Sequence, residues 1–284
     1  MKRILLHLDT DPQPSSFDAI SAIDGGVEQL LSYGNVTPVN VVSLVQGAIF
    51  TRSPNDLQNT AIFIGGSDID AAQTLLERVR ETFFGPMRVS VMMDASGCNT
   101  TASAAVVCAG RHLKLSESSA AVFGGTGPVG RRVARILMSS GCRVKVVSRS
   151  LDRARAACAA IDSGSKLLQP VAMSSPEDLH TVAEGVDVVV AAGAAGVKFC
   201  SLKALQASSS VKVAIDLNAV PPLGIEGIES GDKAREVGRI VCYGALGVGG
   251  LKMRLHHHVI DQLFETNEQV FDAETTFAAA GNLR

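Results

Sequence analysis

The residues with the clearest chemical spacing are Gly125-Thr126-Gly127-Pro128-Val129-Gly130, a G-x-G-x-x-G string set between a strand-like run (120–123) and an amphipathic, helix-like run (128–140). In that setting the first glycine permits a tight turn and the second lets a pyrophosphate reach the backbone. The third lets helix and strand approach closely. Pro128 suits the first helical turn, where its missing N–H has no intrahelical partner. A phosphate would rest on the remaining free N–H groups and on the positive end of that helix. A bare tight turn is the alternative, and the strand-like run at 143–148 counts against it by completing a βαβ unit of about 30 residues. The string is therefore assigned to a dinucleotide.

The end of the second strand bears on which dinucleotide. A unit selective for NAD places Asp or Glu there to hold the ribose, whereas this chain has Ser148-Arg149-Ser150, with Arg153 one turn further on. A planar guanidinium matches phosphate oxygens, and hydroxyls donate to them, so this end accepts the 2′-phosphate of NADP. Use of NAD stays open, and ordinary solvated arginines are the competing explanation. Two later strand ends lie at the same carboxyl edge, where ligands of open α/β sheets bind. These are Ala192-Gly193, after a strand at 186–191, and Asp216 with Asn218, after one at 211–216. Ordinary βα turns explain the small residues equally well.

The remaining reactive side chains restrict the chemistry. The two tyrosines, Tyr33 and Tyr243, are followed four residues later by Thr37 and Gly247, so there is no Tyr-x-x-x-Lys pair to polarise a hydroxyl. No His or Cys falls in an acid–base or metal pattern. His256-His257-His258 splay by about 100° per residue on a helix, so at least one faces away and no metal site is expected. This favours a hydride transfer that needs little proton movement. Oxidation of a carbon flanked by two nitrogens fits, because nitrogen lone pairs stabilise the product cation and catalysis becomes mostly positioning.

The elements that must position these groups follow from periodicity. Before residue 114 the sequence predicts strands at 4–8, 41–50, 61–64 and 89–93, and helices at 70–84 and 100–113. After the polar break 114–119 it predicts strands at 120–123, 143–148, 168–171, 186–191, 211–216 and 239–243. Helices at 128–140, 151–161 and 176–184 separate the first four of these, and the tail from 250 reads as helical. Strands alternating with helices imply parallel sheets with right-handed crossovers. The expected fold class is α/β: two α/β domains, the C-terminal one a doubly wound Rossmann-type sheet.

Composition sets outer limits. The 284 residues suit two domains better than one. With 46% hydrophobic and 19% charged residues the chain builds a sizeable core, and 26 basic against 28 acidic residues offer no nucleic-acid surface. No stretch is long enough for a signal sequence or a membrane span. The six cysteines, at 98, 108, 142, 158, 200 and 242, are scattered, as expected of small buried side chains in a reducing, cytoplasmic compartment.

Several strings carry a family resemblance. They include Asp9-Thr10-Asp11, Ser16-Phe17-Asp18, Asp24-Gly25-Gly26, Tyr33-Gly34-Asn35-Val36-Thr37-Pro38 and Gly97-Cys98-Asn99-Thr100-Thr101. Further on come Asn218-Ala219-Val220-Pro221-Pro222-Leu223-Gly224-Ile225 and Gly244-Ala245-Leu246-Gly247-Val248-Gly249-Gly250-Leu251-Lys252. Together they resemble the methylene-tetrahydromethanopterin dehydrogenases of methylotrophic bacteria, from residue 9 to residue 252. The resemblance implies a substrate domain of residues 1–116 completed by 251–284, an NAD(P) domain of residues 117–250, and an active-site cleft between them. It implies tetrahydromethanopterin as the carrier substrate, NADP (with NAD as a second acceptor) as cofactor, and a homo-oligomer. Lys252 becomes the candidate catalytic or substrate-orienting group, with a solvated helix-start lysine as the alternative. Asp9, Asp11, Phe17, Asn99, Thr100 and Thr101 become candidates for the pterin; turn, cap and core roles compete with that reading. The chain is also similar to folate-dependent methylene dehydrogenases but lacks their Tyr-x-x-x-Lys, which argues against a joint cyclohydrolase activity. The alternatives are a methylene-tetrahydrofolate dehydrogenase and a non-catalytic NADP-binding sensor.

Overall fold

The computed structural model describes residues 1–283 and divides the chain into two units: residues 1–100 with 253–283, and residues 101–252. The first unit opens with β1 (Ile4–Asp9), α1 (Ser16–Asp24), β2 (Gln29–Tyr33), α2 (Val41–Phe50), β3 (Thr60–Gly65), α3 (Ile69–Thr82) and β4 (Ser90–Met93). The helix α4 (Cys98–Gly110) then crosses the division. The second unit continues with β5 (Ser119–Phe123), α5 (Pro128–Ser139), β6 (Arg143–Ser148), α6 (Leu151–Asp162), β7 (Leu168–Ala172), α7 (Leu179–Ala183) and β8 (Val188–Ala191). It is completed by β9 (Cys200–Ser201), α8 (Leu202–Gln206), β10 (Val213–Asp216), β11 (Ile225–Glu226), β12 (Lys233–Val237) and β13 (Ile240–Tyr243). A long helix, α9 (Ala245–Gln262), returns the chain to the first unit, which ends in β14 (Val270–Phe271) and α10 (Ala273–Ala279).

The sheet of the first unit has the order β14-β4-β3-β1-β2 and is parallel throughout. That of the second has the order β12-β13-β10-β8-β5-β6-β7 and is parallel except for β12. Strand order reverses beside β1 in one and beside β5 in the other, and such switch points open crevices at the carboxyl ends of the strands. The central strands β3, β5, β8 and β10 are buried along their whole length, as expected of strands covered by helices on both faces.

One expectation is corrected. Residues 41–50, read as a strand, form the helix α2. The β-branched Val41, Val42, Val45 and Ile49 suggested a strand, yet the buried set is Val41, Val45, Ala48 and Ile49, a helical spacing. Periodicity also gave no assignment for α1 or β2. The helix is fixed by Ser15, whose hydroxyl caps the N–H of Asp18. The strand is a mostly exposed edge with no alternation to read.

Candidate active site

The fingerprint forms the turn from β5 into α5. The N–H of Gly125 donates to the carbonyl of Val147 (3.2 Å) and that of Gly127 to the carbonyl of Gly124 (2.9 Å). Gly127 is the N-cap and Pro128 opens the helix, which leaves the N–H groups of Val129 and Gly130 without intrahelical partners. A Cβ on Gly130 would lie 2.3 Å from the Gly124 carbonyl oxygen, and one on Gly125 would lie 2.9 Å from that of Val122. A Cβ on Gly127 would meet nothing closer than 3.3 Å. Two glycines are thus required by packing, and the third leaves an open approach to the backbone. A dinucleotide fits this cradle.

Beyond β6, the Ser148 hydroxyl accepts from the N–H of Ser150 (3.3 Å), and the Ser150 hydroxyl caps α6 by accepting from Arg153 N–H (3.4 Å). Both hydroxyls therefore keep their own protons to donate. Arg149 and Arg153 are exposed beside them. The nearest acid, Asp152, is paired with Arg155 at 3.2 Å. The other two strand ends are shaped by packing. A Cβ on Gly193 would lie 2.3 Å from the Phe199 ring, and one on Gly124 would lie 2.6 Å from the Gly193 Cα, so β5 and β8 meet closely at the switch point beside half-buried Ala192. Asp216 is buried, and its carboxylate accepts from the N–H groups of Asn218 (3.0 Å) and Ile225 (2.7 Å). Burial pushes its pKa up against those donors. Asn218 in turn accepts from Val220 N–H and donates to the Pro222 carbonyl.

In the first unit, Asp9 and Asp11 organise the loop after β1. Asp9 is fully buried and accepts from the N–H groups of Asp11 (2.8 Å) and Ser15 (2.9 Å). Asp11 accepts from the N–H and hydroxyl of Ser67 (2.9 and 2.8 Å), which ties this loop to the one after β3. Phe17, on the first turn of α1, is 52% exposed.

A buried hub sits at the end of β4. Asp94 accepts from the N–H groups of Asn99 (2.9 Å) and Thr100 (3.0 Å) and from the Thr100 hydroxyl (2.6 Å). Its Oδ2 also lies 3.2 Å from Nδ1 of His256 on α9. Asn99 and Thr100 are fully buried, the Asn99 amide donating to the Met93 carbonyl, and Thr101 is half-buried. Lys252, one turn before His256 on the same helix, is half-buried. His257 and His258 are half-buried as well.

His7, Asp9 and Asp18, all buried, place one ligand-type atom each within 4.8 Å of one another. His7 Nε2 is 3.4 Å from Asp9 Oδ2 but lacks hydrogen-bond geometry. Burial drives the pKa of His7 down, more strongly than Asp9 raises it. Gly65 makes the space, since a Cβ there would lie 2.9 Å from His7 Nε2. Sequence reasoning missed Asp94, His256, Ser67 and Phe199. Of these only Asp94 had a readable signal, an acid shortly before Asn99-Thr100 at a helix start.

Comparison with known proteins matches both halves. A profile described as methylene-tetrahydromethanopterin dehydrogenase, N-terminal, matches residues 16–96, and one described as NAD(P)H-binding matches residues 124–279. Two proteins of Methylorubrum extorquens are similar over nearly the whole length. The Bifunctional protein MdtA is 43% identical, with 98% of each chain covered. An NAD(P)-dependent methylenetetrahydromethanopterin dehydrogenase is 33% identical, with 94% of each covered. Among solved structures, the ligand-free 5-ketofructose reductase of Gluconobacter sp. aligns with a TM-score of 0.51 and 13% identity, over 100% of this chain and 99% of that one. That likeness is one of fold.

Proposed function

The chain belongs to the methylene-tetrahydromethanopterin dehydrogenase family, and from that premise we propose that it oxidises methylene-tetrahydromethanopterin to the methenyl form, with NADP or NAD as acceptor. The observation that carries this reading is the pairing, in one chain, of the family's N-terminal sequence with a complete dinucleotide fingerprint. The bound nicotinamide supplies the hydride acceptor. Hydride leaves the methylene carbon, and the cation left behind is shared by its two flanking nitrogens, so no side chain has to remove a proton. What the residues must do is hold and orient.

In this proposal the N–H groups of the Gly125–Gly130 turn hold the pyrophosphate, with Thr126, Pro128 and Val129 shaping its rim. Ser148, Arg149, Ser150 and Arg153 hold the 2′-phosphate. Ala192 and Gly193 leave room at the strand end, and Asp216 and Asn218 keep the following loop in place. Phe17, Asp11 and Thr101 meet the pterin, while Asp9, Asn99 and Thr100 hold the loops that present them. Lys252 orients the carrier. The corresponding functional division is a carrier domain of residues 1–116 with 251–284 and a nucleotide domain of residues 117–250. We place the enzyme in the cytoplasm as a homo-oligomer, which light scattering would check. Among the described residues no helix is long and apolar enough to cross a membrane.

The test is purified protein with methylene-tetrahydromethanopterin or methylene-tetrahydrofolate, each with NADP and with NAD. Formation of reduced nucleotide with the tetrahydromethanopterin carrier is expected, and its absence with every pair contradicts the reading. Lys252→Ala should lower kcat by about tenfold or more at unchanged NADP affinity, as expected for loss of a positioning contact.

A further inference from the structure

Among the described residues, His7, Asp9 and Asp18 of the first unit are the cluster with metal-ligand chemistry, and the hydride transfer leaves it without a role. His7 and Asp9 stand two positions apart on β1, so the two-residue period of a strand puts both side chains on one face. Asp18 joins them from the first turn of α1, where the Ser15 hydroxyl caps its N–H. One ligand-type atom from each lies within 4.8 Å of the other two, and all three residues are buried. The room beside them comes from Gly65, the residue paired with Asp9 across β1 and β3. A Cβ on Gly65 would stand 2.9 Å from His7 Nε2 and 3.3 Å from Asp18 Oδ2, so both atoms border the space that the missing side chain leaves.

Two further observations point to a cation. His7 is 1% exposed, yet neither of its ring nitrogens has a hydrogen-bond partner, and an orphaned buried polar atom is a mark of an ion or water site. Asp9, fully buried, meets two backbone N–H groups and His7 but no Lys or Arg among the described residues. Its Oδ2 keeps a second lone pair beyond the one that accepts from Ser15. His7 Nε2 and Asp9 Oδ2 are 3.4 Å apart without hydrogen-bond geometry. That is the spacing of two ligands on a tetrahedral zinc ion, which at about 2.0–2.2 Å from the metal stand about 3.3–3.6 Å from each other. We propose that His7 Nε2, Asp9 Oδ2 and the Asp18 carboxylate bind one divalent cation of the zinc class, which clasps the start of α1 to β1. Burial keeps the imidazole in the neutral form that ligates. One imidazole with two carboxylates and no thiolate suits Zn²⁺, or Co²⁺ in its place, better than soft Cu⁺ or a Mg²⁺ that takes oxygen alone. The clasp is structural and independent of the dehydrogenase reading, so either can fail without the other.

The test needs no turnover. Full-length protein, stripped with a chelator and dialysed, is titrated with CoCl2 and followed by visible absorption. A d–d spectrum that saturates at one ion per chain, lacks the near-ultraviolet band of thiolate ligation and is displaced by ZnCl2 is expected. His7→Gln and Asp18→Asn should each lose it, while far-ultraviolet circular dichroism shows that they are folded. Gly65→Ala keeps all three ligands and fills the space beside them, so it should weaken the binding of both ions. In the wild-type protein ZnCl2 should also slow hydrogen exchange over residues 4–24, because the ion is bound only by the folded chain. Absence of a one-to-one spectrum in the wild type overturns the proposal, as does the same spectrum in folded His7→Gln and Asp18→Asn. If neither variant folds, the wild-type exchange decides: protection over 4–24 that ZnCl2 leaves unchanged overturns it as well.

Discussion

Removing the Asp94 carboxylate is the sharpest perturbation of the first unit. Four donors converge on it: two backbone N–H groups at the start of α4, the Thr100 hydroxyl and His256 of α9. Asp94 and His256 are 0% and 1% exposed, so water cannot replace what is lost. Loss of the helix cap alone costs about 1 kcal/mol. Each buried donor left without an acceptor adds about 1–3 kcal/mol. Because the donors share one acceptor these figures overlap, and Asp94→Ala is expected to cost about 3–5 kcal/mol in total. Asp94→Asn keeps one oxygen for the backbone cap and lets the Thr100 hydroxyl reverse, so about 1–2 kcal/mol is expected. A chain of two units need not unfold in one step, so the assay is peptide-level hydrogen exchange, read over 90–110 and 245–262. Both segments should lose protection together, because the hub joins α4 to α9. An Asp94→Ala protein whose protection falls by less than about 1 kcal/mol, or falls in one segment only, refutes the reasoning.

Three further outcomes follow. His7 has a folded pKa below its unfolded value of about 6.5. Between those values the unfolded chain binds a proton that the folded chain refuses, so stability falls as pH drops below about 6.5, by at most about 1.4 kcal/mol per pH unit. Acid unfolding of His7→Gln should have a shallower slope there, and an identical slope contradicts the assignment. Burial pushes the Cys142 and Cys200 thiols up to about 12 and Cys242 to about 11, and all six cysteines are buried. An aromatic disulfide reagent at pH 8 should label none in the native protein and six after denaturation; rapid native labelling is the contrary result. Gly130→Ala places a Cβ 2.3 Å from the Gly124 carbonyl. Forcing α5 off β5 costs about 1–3 kcal/mol, and NADP affinity measured by calorimetry should fall about tenfold or more; wild-type affinity would show that the turn tolerates the methyl.

How much the sequence reveals depends on the range of the interactions involved. The nucleotide half is legible because its signals are local: a glycine spacing, a proline at a helix start, and the apolar strands at 119–123 and 143–148. In the N-terminal half, residues 41–50 misled because β-branched side chains serve a buried helix face as readily as a strand. Asp9, Asn99 and Thr100 are buried and hydrogen-bonded within their own loops and helix start, contacts that no local pattern in the sequence announces. The Asp94–His256 pair spans 162 positions, and no local pattern announces it.

The central claim is that this chain moves a hydride directly from the methylene carbon of its carrier to a nicotinamide it binds. Methylene-tetrahydromethanopterin carrying two deuterium atoms on that carbon, turned over in ordinary water with NADP, tests it by mass spectrometry of the product nucleotide. One deuterium in each reduced nucleotide is the predicted result. Reduced nucleotide carrying only solvent hydrogen, or none formed with NADP or NAD, contradicts the account.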